Sequence, residues 1–374
     1  MDAATLLSPV ALGPLPLANR LAVAPMTRVS ATADGRATAR MAEYYGAFAR
    51  GGFGLVITEG IYTDRAYAQG YLFQPGLTDG AQQEAWRPVA DQVHAAGGRI
   101  VAQLMHAGAI SQGNPHRTVA KGPSAVQPKG LQMGFYRGEG AYRTPEELSL
   151  AEIEEIVAGF AAAALRARQA GFDGVEIHGA NGYLLDQFLT GYTNHRGDGY
   201  GGSLEQRLRL GVETIHAVRR AVGPGFVLGY RVSQGKVNDF THQWPGGEAQ
   251  AATVFAALSA APLDYLHTTE FEAWQPAFGE GPSLAALAKR HGAVPVIANG
   301  SLHTPAAAAG MVGRGEADLV SLGRGALTHA DWPQRVRSGQ TLQDFDRALL
   351  SPIADLANAD RLRGYSGSKP FAAR

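Results

Sequence analysis

Three polar residues at the end of one apolar run have the types and spacing of a site that polarises a carbonyl group. His178, Asn181 and Tyr183 lie within six residues of one another, after an apolar run that begins at Gly174. A turn at this point would place His178 and Asn181 on the same side, where both can donate hydrogen bonds to one oxygen atom. Two such donors stabilise a developing enolate, and Tyr183 is a weak acid that can deliver a proton nearby. Each residue alone is commonly a core or packing residue, so it is the trio that favours catalysis.

Arg231 is a charged residue inside a second apolar run, 226–233. A buried guanidinium requires a counter-charge, because an unpaired charge is strongly disfavoured in the interior of a protein. Two partners are compatible with the sequence: a carboxylate elsewhere in the chain, or an anionic ligand such as the ring of a cofactor.

Two later turns have the composition of a phosphate site. Asn299-Gly300 and Gly323-Arg324 each follow an apolar run, and they offer backbone N–H groups and one guanidinium. The loops after the last two strands of a β/α barrel often hold phosphate. An ordinary turn with a solvated arginine explains Gly323-Arg324 equally well.

The positions of these residues depend on the apolar runs that precede them. The runs are short, rich in Val, Ile and Leu, and nearly continuous, which is typical of strands buried on both faces. Helical patterns alternate with them, and the clearest one begins with a capping-box spacing from Ser149 to Glu152 and ends at Gly171. The predicted strands are 21–26, 55–60, 99–106, 174–179, 226–233, 263–269, 294–300 and 317–324. The predicted helices are 39–51, 79–97, 150–170, 203–222, 247–260, 282–291, 304–313 and 329–338.

Eight strands that alternate with eight helices predict an α/β fold, and a single (β/α)8 TIM barrel rather than an open doubly wound sheet. We expect one domain over residues 1–374, with a long lid over 107–148 after the third strand and a C-terminal tail over 341–374. The loops after the strands form the active-site face of a barrel. The polar residues above, with Thr27 and Gln103 at other strand ends, are therefore expected at one mouth.

Composition excludes several classes of protein. The 374 residues contain 33 Lys+Arg and 33 Asp+Glu, so the net charge is zero and no nucleic-acid partner is predicted. The absence of cysteine excludes disulfides, zinc–thiolate sites, iron–sulfur clusters and cysteine nucleophiles, and we predict no metal site. The sequence shows neither a signal peptide nor a span of about 18 apolar residues. We therefore expect no membrane association and a cytoplasmic location.

Several motifs occur in the order that is found in one known family. They are APMTR at 24–28, QLMHAG at 103–108, VEIHGANGYLLDQFL at 175–189, NHR at 194–196, DGYGGS at 198–203 and LGR at 322–324. From about residue 6 to 340, the chain resembles the classical branch of the old yellow enzyme family of flavin-dependent ene-reductases. The resemblance implies an FMN-binding (β/α)8 barrel that takes NADPH or NADH as its reductant.

The resemblance also implies which residues hold FMN. Thr27 would hydrogen-bond the flavin C4 carbonyl and tune its potential, and Gln103 would bond the pyrimidine edge. Arg231 would face N1 and the C2 carbonyl, where the reduced flavin carries its negative charge. Further contacts would come from residues whose backbone lines the ring (Pro25, Met26 and Gly60) and from residues that hold the phosphate (Asn299, Gly300, Gly323 and Arg324).

The same resemblance assigns roles to His178, Asn181 and Tyr183. His178 and Asn181 would bind the carbonyl oxygen of an α,β-unsaturated substrate. Flavin N5 would give a hydride to the β carbon, and Tyr183 would protonate the α carbon from the other face. NAD(P)H and the enone would use one site in turn, so ping-pong kinetics are expected. The partners would be small molecules, and the chain would be a monomer or a homodimer.

Three alternatives stay open. The same flavin site can reduce a nitro compound or nitrate ester, with His178 and Asn181 on a nitro oxygen. A flavin-binding module with little turnover is a second alternative, although an intact Tyr183 and the His178/Asn181 pair argue against it. A barrel without flavin, such as an aldolase, would need a lysine at a strand end, and Lys236 is the nearest candidate.

The chain also departs from the family pattern. Met105 stands where Trp or Leu-type residues are common, and Gln206 stands where Asn is usual. The loops 234–245 and 268–281 match no motif of the family and are candidates for setting specificity. The C-terminal tail lacks the expected aromatic pattern, which leaves the dimethylbenzene end of the flavin without an assigned contact.

Overall fold

The computed structural model describes residues 3–362, and within them eight parallel strands close into a barrel. Each strand pairs in parallel with the next along the chain, and the last pairs with the first through Val320 and Leu21. This closure confirms the predicted TIM barrel. The strands are β1 (Leu21–Val23), β2 (Leu55–Ile57), β3 (Arg99–Met105), β4 (Gly174–Asn181), β5 (Val227–Lys236), β6 (Tyr265–Thr269), β7 (Val296–Asn299) and β8 (Leu319–Leu322).

The predicted helices are all present around the barrel, within a few residues of their predicted bounds. Each follows the strand of the same number along the chain. The strands are buried, as their continuous apolar character indicates. The helices are α1 (Ala39–Arg50), α2 (Gly80–Ala95), α3 (Leu150–Gln169), α4 (Leu204–Val222), α5 (Gly247–Ala260), α6 (Leu284–His291), α7 (Pro305–Gly313) and α8 (Trp332–Arg337).

Local hydrogen bonds explain where two of these helices begin. Ser149 and Glu152 form the predicted capping box at the start of α3. At the start of α4, the Gln206 side chain accepts a hydrogen bond from the Ser203 backbone N–H at 3.2 Å, and Ser203 Oγ accepts from the Gln206 N–H. The departure from Asn at position 206 therefore preserves a helix cap.

The two ends of the barrel interior differ in polarity. The N-terminal end is closed by a hairpin of Val10–Leu12 and Leu15–Leu17, which packs on strand residues such as Leu55 and Tyr265. Buried polar side chains, among them Arg231, follow toward the C-terminal ends of the strands. This polarity places the site at the mouth that barrel enzymes use.

Short elements complete the mouth. The segment 107–148 contains a 3-10 turn at Gly134–Tyr136 and a two-residue strand, Lys121–Gly122, that pairs with Glu146–Glu147. A short helix, Leu184–Leu189, follows β4 directly. The predicted strand 317–324 ends at Leu322, and Arg324 instead begins the short helix Arg324–Thr328. Gly323 lies at the transition and is the N-cap of that helix.

The described part of the predicted C-terminal tail packs on the barrel. It forms a 3-10 turn at Arg347–Leu350 and a helix at Leu356–Leu362, and Leu356 is buried. Arg28 Nη2 donates to the Asp355 carbonyl oxygen at 3.0 Å. The rest of the predicted tail, 363–374, lies outside the described residues.

Within residues 3–362, no helix combines the length and the apolar character that crossing a bilayer requires. In the same range, no group of three or more His, Asp or Glu side chains is arranged to hold a metal ion.

Candidate active site

A cavity of about 330 Å³ opens at the mouth of the barrel, above the C-terminal ends of the strands. Tyr136 from the segment 107–148 covers one side of it, and Phe240 and Leu350 stand at its rim. The predicted site residues that line this cavity are Pro25, Met26, Thr27, Gln103, His178, Asn181, Tyr183, Arg231, Gly323 and Arg324. One chamber therefore holds both the residues expected on a flavin ring and those expected on a substrate.

His178 and Asn181 reach this cavity from the end of β4. The neighbouring strand and the residue after it hold Asn181 there, because Ser233 Oγ accepts from the Asn181 N–H at 2.8 Å and the Asn181 carbonyl accepts from the Val237 N–H at 3.0 Å. Asn181 has a φ of +61°, in the left-handed region that residues other than glycine rarely adopt. Burial lowers the pKa of His178 well below its ordinary value, and the Arg231 charge lowers it further. The imidazole is therefore neutral and offers one N–H donor.

Tyr183 lies beside this pair and has a buried hydroxyl partner. The hydroxyl oxygens of Tyr183 and Tyr71 are 2.6 Å apart, and the Tyr183 ring lies 4.8 Å from the His178 ring, centroid to centroid. Burial raises the pKa of Tyr183 far above its ordinary value, so the phenol keeps its proton at neutral pH. Sequence reasoning missed Tyr71, because nothing in its local pattern separates it from a packing residue.

Arg231 is buried and makes no ion pair with a carboxylate within residues 3–362. Its Nη2 donates to Asn299 Oδ1 at 2.9 Å, and its Nε has no hydrogen-bond partner among the described residues. Burial lowers the pKa of Arg231, and the nearby Glu176 charge opposes that shift. Of the two partners that the sequence left open, the geometry favours a ligand, because a donor of this buried cation is still unused.

Glu176 is the centre of a buried network below the cavity that sequence reasoning also missed. One carboxylate oxygen accepts from Gln103 Nε2 at 2.8 Å, and the other is bonded by the Tyr265 hydroxyl at 3.0 Å and by His267 Nδ1 at 2.8 Å. His267 Nε2 lies 2.8 Å from Ser321 Oγ. Burial opposes ionisation of Glu176, but His267 above all lowers its pKa to about 2. Glu176, like Arg231, is a charged residue inside an apolar run, so the signal that identified Arg231 was also present for Glu176.

A second buried carboxylate fixes the segment that contains Thr27. Glu59 Oε2 accepts from the backbone N–H groups of Arg28 and Val29, at 2.9 and 3.1 Å. The Tyr136 hydroxyl donates to the Thr27 carbonyl oxygen at 3.2 Å from the other side. The backbone that lines the cavity at 25–27 is therefore held from both directions.

Arg324 is exposed at the edge of the cavity and is free to meet a charged group from solvent. Its Nη2 donates to Ser301 Oγ at 2.5 Å, and its guanidinium lies 5.9 Å from the centre of the Phe271 ring. A Cβ on Gly323, beside it, would lie 3.6 Å from Met26 Sδ, an ordinary van der Waals contact. The predicted phosphate role of both residues stays a prediction.

Asn299 does not line the main cavity, and its side chain is used inside the barrel. It accepts from Arg231 Nη2 and from Thr269 Oγ1, and it donates to the Ser321 carbonyl oxygen. A contact of this residue with phosphate would therefore come from its backbone. The next residue, Gly300, has a φ of +141°, and a Cβ there would overlap the Glu270 carbonyl oxygen.

Gly60 also lies outside the residues that line the cavity. A Cβ on it would lie 2.6 Å from Met105 Sδ, and its carbonyl oxygen accepts from Gln74 Nε2 at 2.7 Å. Met105 does line the cavity. A side chain at position 60 would therefore displace Met105, the residue that departs from the family pattern.

The segment 107–148 is tied to the C-terminal residues at the mouth. Arg137 Nη2 forms an ion pair with Asp355 at 2.9 Å, and the Ala354 N–H donates to the Phe135 carbonyl oxygen at 3.0 Å. Sequence reasoning missed this connection, because residues 341–362 form pieces too short to give a periodic pattern. The cover of the cavity is thus built from two segments far apart in the chain.

The donors at this mouth fit a flat acceptor ring with an anionic tail. Arg231 Nε and His178 Nδ1 are buried without hydrogen-bond partners among residues 3–362. Gln103 is oriented by its hydrogen bond to the charged Glu176. The backbone of Thr27 is fixed by a hydrogen bond from the Tyr136 hydroxyl. This arrangement is compatible with the pyrimidine edge of a flavin, and the exposed Arg324 is compatible with its phosphate.

Comparison with known proteins gives one consistent family. Residues 5–343 match the model of the NADH:flavin oxidoreductase / NADH oxidase family. An NADH oxidase of Thermoanaerobacter brockii is 34% identical over 340 residues, covering 88% of this chain and 50% of that protein, so the chain spans about half its length. A Leishmania infantum protein named "Probable flavin mononucleotide-dependent alkene reductase" is 33% identical over 356 residues, covering 92% of this chain and 93% of that protein.

A solved structure agrees with these relatives. The old yellow enzyme homologue from Zymomonas mobilis matches with a TM-score of 0.85 at 32% identity, covering 95% of this chain and 99% of that chain. FMN, with NAD(P)H as reductant, is the cofactor of this family. The chain belongs to the NADH:flavin oxidoreductase / NADH oxidase family, the flavin oxidoreductases that include the old yellow enzyme homologues.

Proposed function

We propose that this chain is an FMN-dependent ene-reductase that takes electrons from NAD(P)H and reduces α,β-unsaturated carbonyl compounds. One observation carries the proposal: a single cavity brings together two neutral hydrogen-bond donors, His178 and Asn181, and a protonated phenol, Tyr183. The Leishmania infantum relative named for alkene reduction supports the same reaction.

Most of the residues that would hold FMN line the cavity. Thr27 and Gln103 would bond the ring, and Arg231 would use its free Nε toward the acceptor edge. The backbone of Pro25 and Met26 would line the ring. The phosphate would lie at Gly323 and Arg324, with backbone help from Asn299 and Gly300. When bound, FMN would accept a hydride from NAD(P)H and pass it to the β carbon of the substrate.

The chain's own residues would do two things for that transfer. His178 and Asn181 would hold the carbonyl oxygen and draw electron density toward it, which makes the β carbon electrophilic. Tyr183 would then give its proton to the α carbon. Because burial raises the pKa of Tyr183, the phenol carries its proton at neutral pH.

A Schiff-base aldolase is not supported. Lys236, the lysine closest to a strand end, is buried and lies in an ion pair with Asp186. It is not among the residues that line the main cavity. An amine buried in an ion pair is inaccessible to a carbonyl substrate in the cavity, whereas Schiff-base chemistry needs an accessible one.

The test is the visible spectrum of the purified protein, titrated without oxygen. The flavin band should bleach with NADPH or NADH and return on addition of 2-cyclohexenone. Ferricyanide, which accepts electrons without a carbonyl, serves as the positive control for reoxidation. Recovery with nitro compounds but not with enones would contradict the proposed substrate class. A colourless protein that FMN cannot reconstitute would contradict the cofactor itself.

A further inference from the structure

A completely buried ion pair lies beside the active-site turn. Lys236 Nζ is 2.8 and 2.9 Å from the two carboxylate oxygens of Asp186, and the two side chains are 2% and 0% exposed. Neither residue lines the main cavity. Burying two charges is costly, and removing one partner of such a pair leaves an uncompensated charge. Breaking the pair would therefore disturb the residues around it.

Asp186 connects this pair to the turn from one side. It lies three residues after Tyr183, and its Oδ2 accepts from the Gly182 N–H at 2.6 Å. Its Oδ1 accepts from Thr190 Oγ1 at 3.2 Å. The carboxylate thus fixes the peptide that lies between Asn181 and Tyr183.

Lys236 connects the pair to the same turn from the other side. It is the last residue of β5 and lies opposite Asn181 in the strand register. The next residue, Val237, donates its N–H to the Asn181 carbonyl oxygen at 3.0 Å. A Cβ on Gly182 would approach the Lys236 Cβ to 3.0 Å, so lysine and turn are closely packed.

The turn itself needs such support. Asn181 and Gly182 have φ values of +61° and +84°, two consecutive residues in the left-handed region. A left-handed conformation of asparagine persists only where the surrounding structure enforces it. Relaxation of this turn would rotate the Asn181 and Tyr183 side chains away from their common target.

We propose that Lys236 and Asp186 are a positioning pair, which holds Asn181 and Tyr183 in the geometry that carbonyl reduction needs. The inference rests on the proposed function, because it is the enone that requires both side chains. It also gives a role to part of the segment 234–245, which matches no motif of the family, because Lys236 belongs to that segment. Lys236→Met would leave a buried carboxylate without its partner, and the turn that the carboxylate holds would relax.

The experiment compares two ways of reoxidising the reduced holoenzyme in a stopped-flow instrument. Reduction of 2-cyclohexenone requires that Asn181 hold the carbonyl oxygen of the enone and that Tyr183 donate a proton. Reduction of ferricyanide requires neither. In Lys236→Met and in Asp186→Asn, we expect the enone rate constant to fall at least tenfold relative to the ferricyanide rate constant. The double variant Lys236→Met/Asp186→Asn removes both charges and keeps an amide oxygen that accepts from the Gly182 N–H. The ratio of the enone rate constant to the ferricyanide rate constant should therefore partly recover.

A matched control breaks a comparable ion pair away from the cavity. Arg219 Nη2 lies 2.6 Å from Asp264, and both side chains are mostly buried. Arg219→Met should lower the unfolding temperature without changing the ratio of the two rate constants. A ratio within twofold of wild type in both Lys236→Met and Asp186→Asn would overturn the positioning role. Wild-type protein that ferricyanide reoxidises but enone does not would instead overturn the proposed function, and this inference with it.

Discussion

The hydroxyl oxygens of Tyr71 and Tyr183 lie 2.6 Å apart, although 112 residues separate them in the chain. Burial raises the pKa of both phenols above the ordinary value. A phenol that gives its proton to a carbon atom becomes a phenolate, which needs a hydrogen-bond donor in a buried site. Tyr71 is placed to be that donor.

Replacing Tyr71 by Phe should therefore slow enone reduction while leaving reduction by NADPH nearly unchanged. We expect a loss of roughly 10- to 100-fold, since one hydrogen bond to a charged group contributes about 1.5–3 kcal/mol. Stopped-flow measurement of each half-reaction would show it. Tyr142→Phe is the control, because the Tyr142 hydroxyl has no partner among the described residues. Equal losses in the two variants would exclude a specific role for Tyr71.

Glu176 should set the potential of the bound flavin through Arg231 and Gln103. Its carboxylate is charged; its negative charge favours the Arg231 cation and partly offsets the positive field of that cation in the cavity. Removing that negative charge in Glu176→Gln should favour the reduced, more negative flavin and raise the midpoint potential by about 30 mV, equivalent to about 1.4 kcal/mol for two electrons.

The matched control for this potential is Ser321→Ala. It removes the hydrogen bond at the far side of His267 and leaves every charge in place. We expect a much smaller change of the potential in this variant. A midpoint potential that stays constant or falls in Glu176→Gln would contradict the electrostatic role.

Gly300 should tolerate no side chain. Its φ is +141°, and a Cβ would overlap the Glu270 carbonyl oxygen. Gly315 also has a positive φ, +72°, but has open space around it. Gly315→Ala should cost about 1 kcal/mol through backbone strain alone, and Gly300→Ala at least twice that.

Thermal unfolding of both variants measures this difference, and the FMN content after purification adds a second readout. Gly300→Ala should lose flavin, because the loop predicted to hold the phosphate would shift. Gly315→Ala should keep it. Comparable stability and flavin content in the two variants would contradict the packing argument.

Glu59 should make stability fall as the pH rises. Burial raises the pKa of this carboxyl from 4.5 to about 7 in the folded protein. The native state therefore keeps a proton that the unfolded chain releases, and the stabilisation present below pH 4.5 is lost as the pH rises toward 7. The loss amounts to about 3 kcal/mol at most.

Chemical denaturation at about pH 5 and about pH 8 tests this dependence. Glu59→Gln, which has no proton to lose, should show a smaller decrease between the two pH values than wild type. The same decrease in both proteins would assign the pH dependence to other groups.

The barrel could be predicted from the sequence because each of its strands is buried on both faces and reads as a short apolar run. Helix α3 could be predicted in part from the capping residues Ser149 and Glu152. The helix Leu184–Leu189 was not predicted, since six residues are too few for a helical period. The packing of 347–362 at the mouth was missed for the same reason.

The site was predicted where a residue type conflicts with its surroundings or belongs to a motif. Arg231 is a cation in an apolar run, and His178, Asn181 and Tyr183 share one strand end. Tyr71 carries no such signal, because its role arises only when the fold brings its hydroxyl to Tyr183. Asn299 shows the opposite limit: its motif suggested phosphate, whereas its side chain bonds Arg231 within the barrel.

The central claim is that Tyr183 is the proton donor of an ene-reductase, and one comparison tests it most directly. In Tyr183→Phe, the rate constant of flavin reduction by NADPH should stay within a few-fold of wild type, while reoxidation by 2-cyclohexenone should fall by about 100-fold or more, as expected for loss of a general acid. Equal effects on the two half-reactions, or an unchanged enone rate constant, would contradict the account.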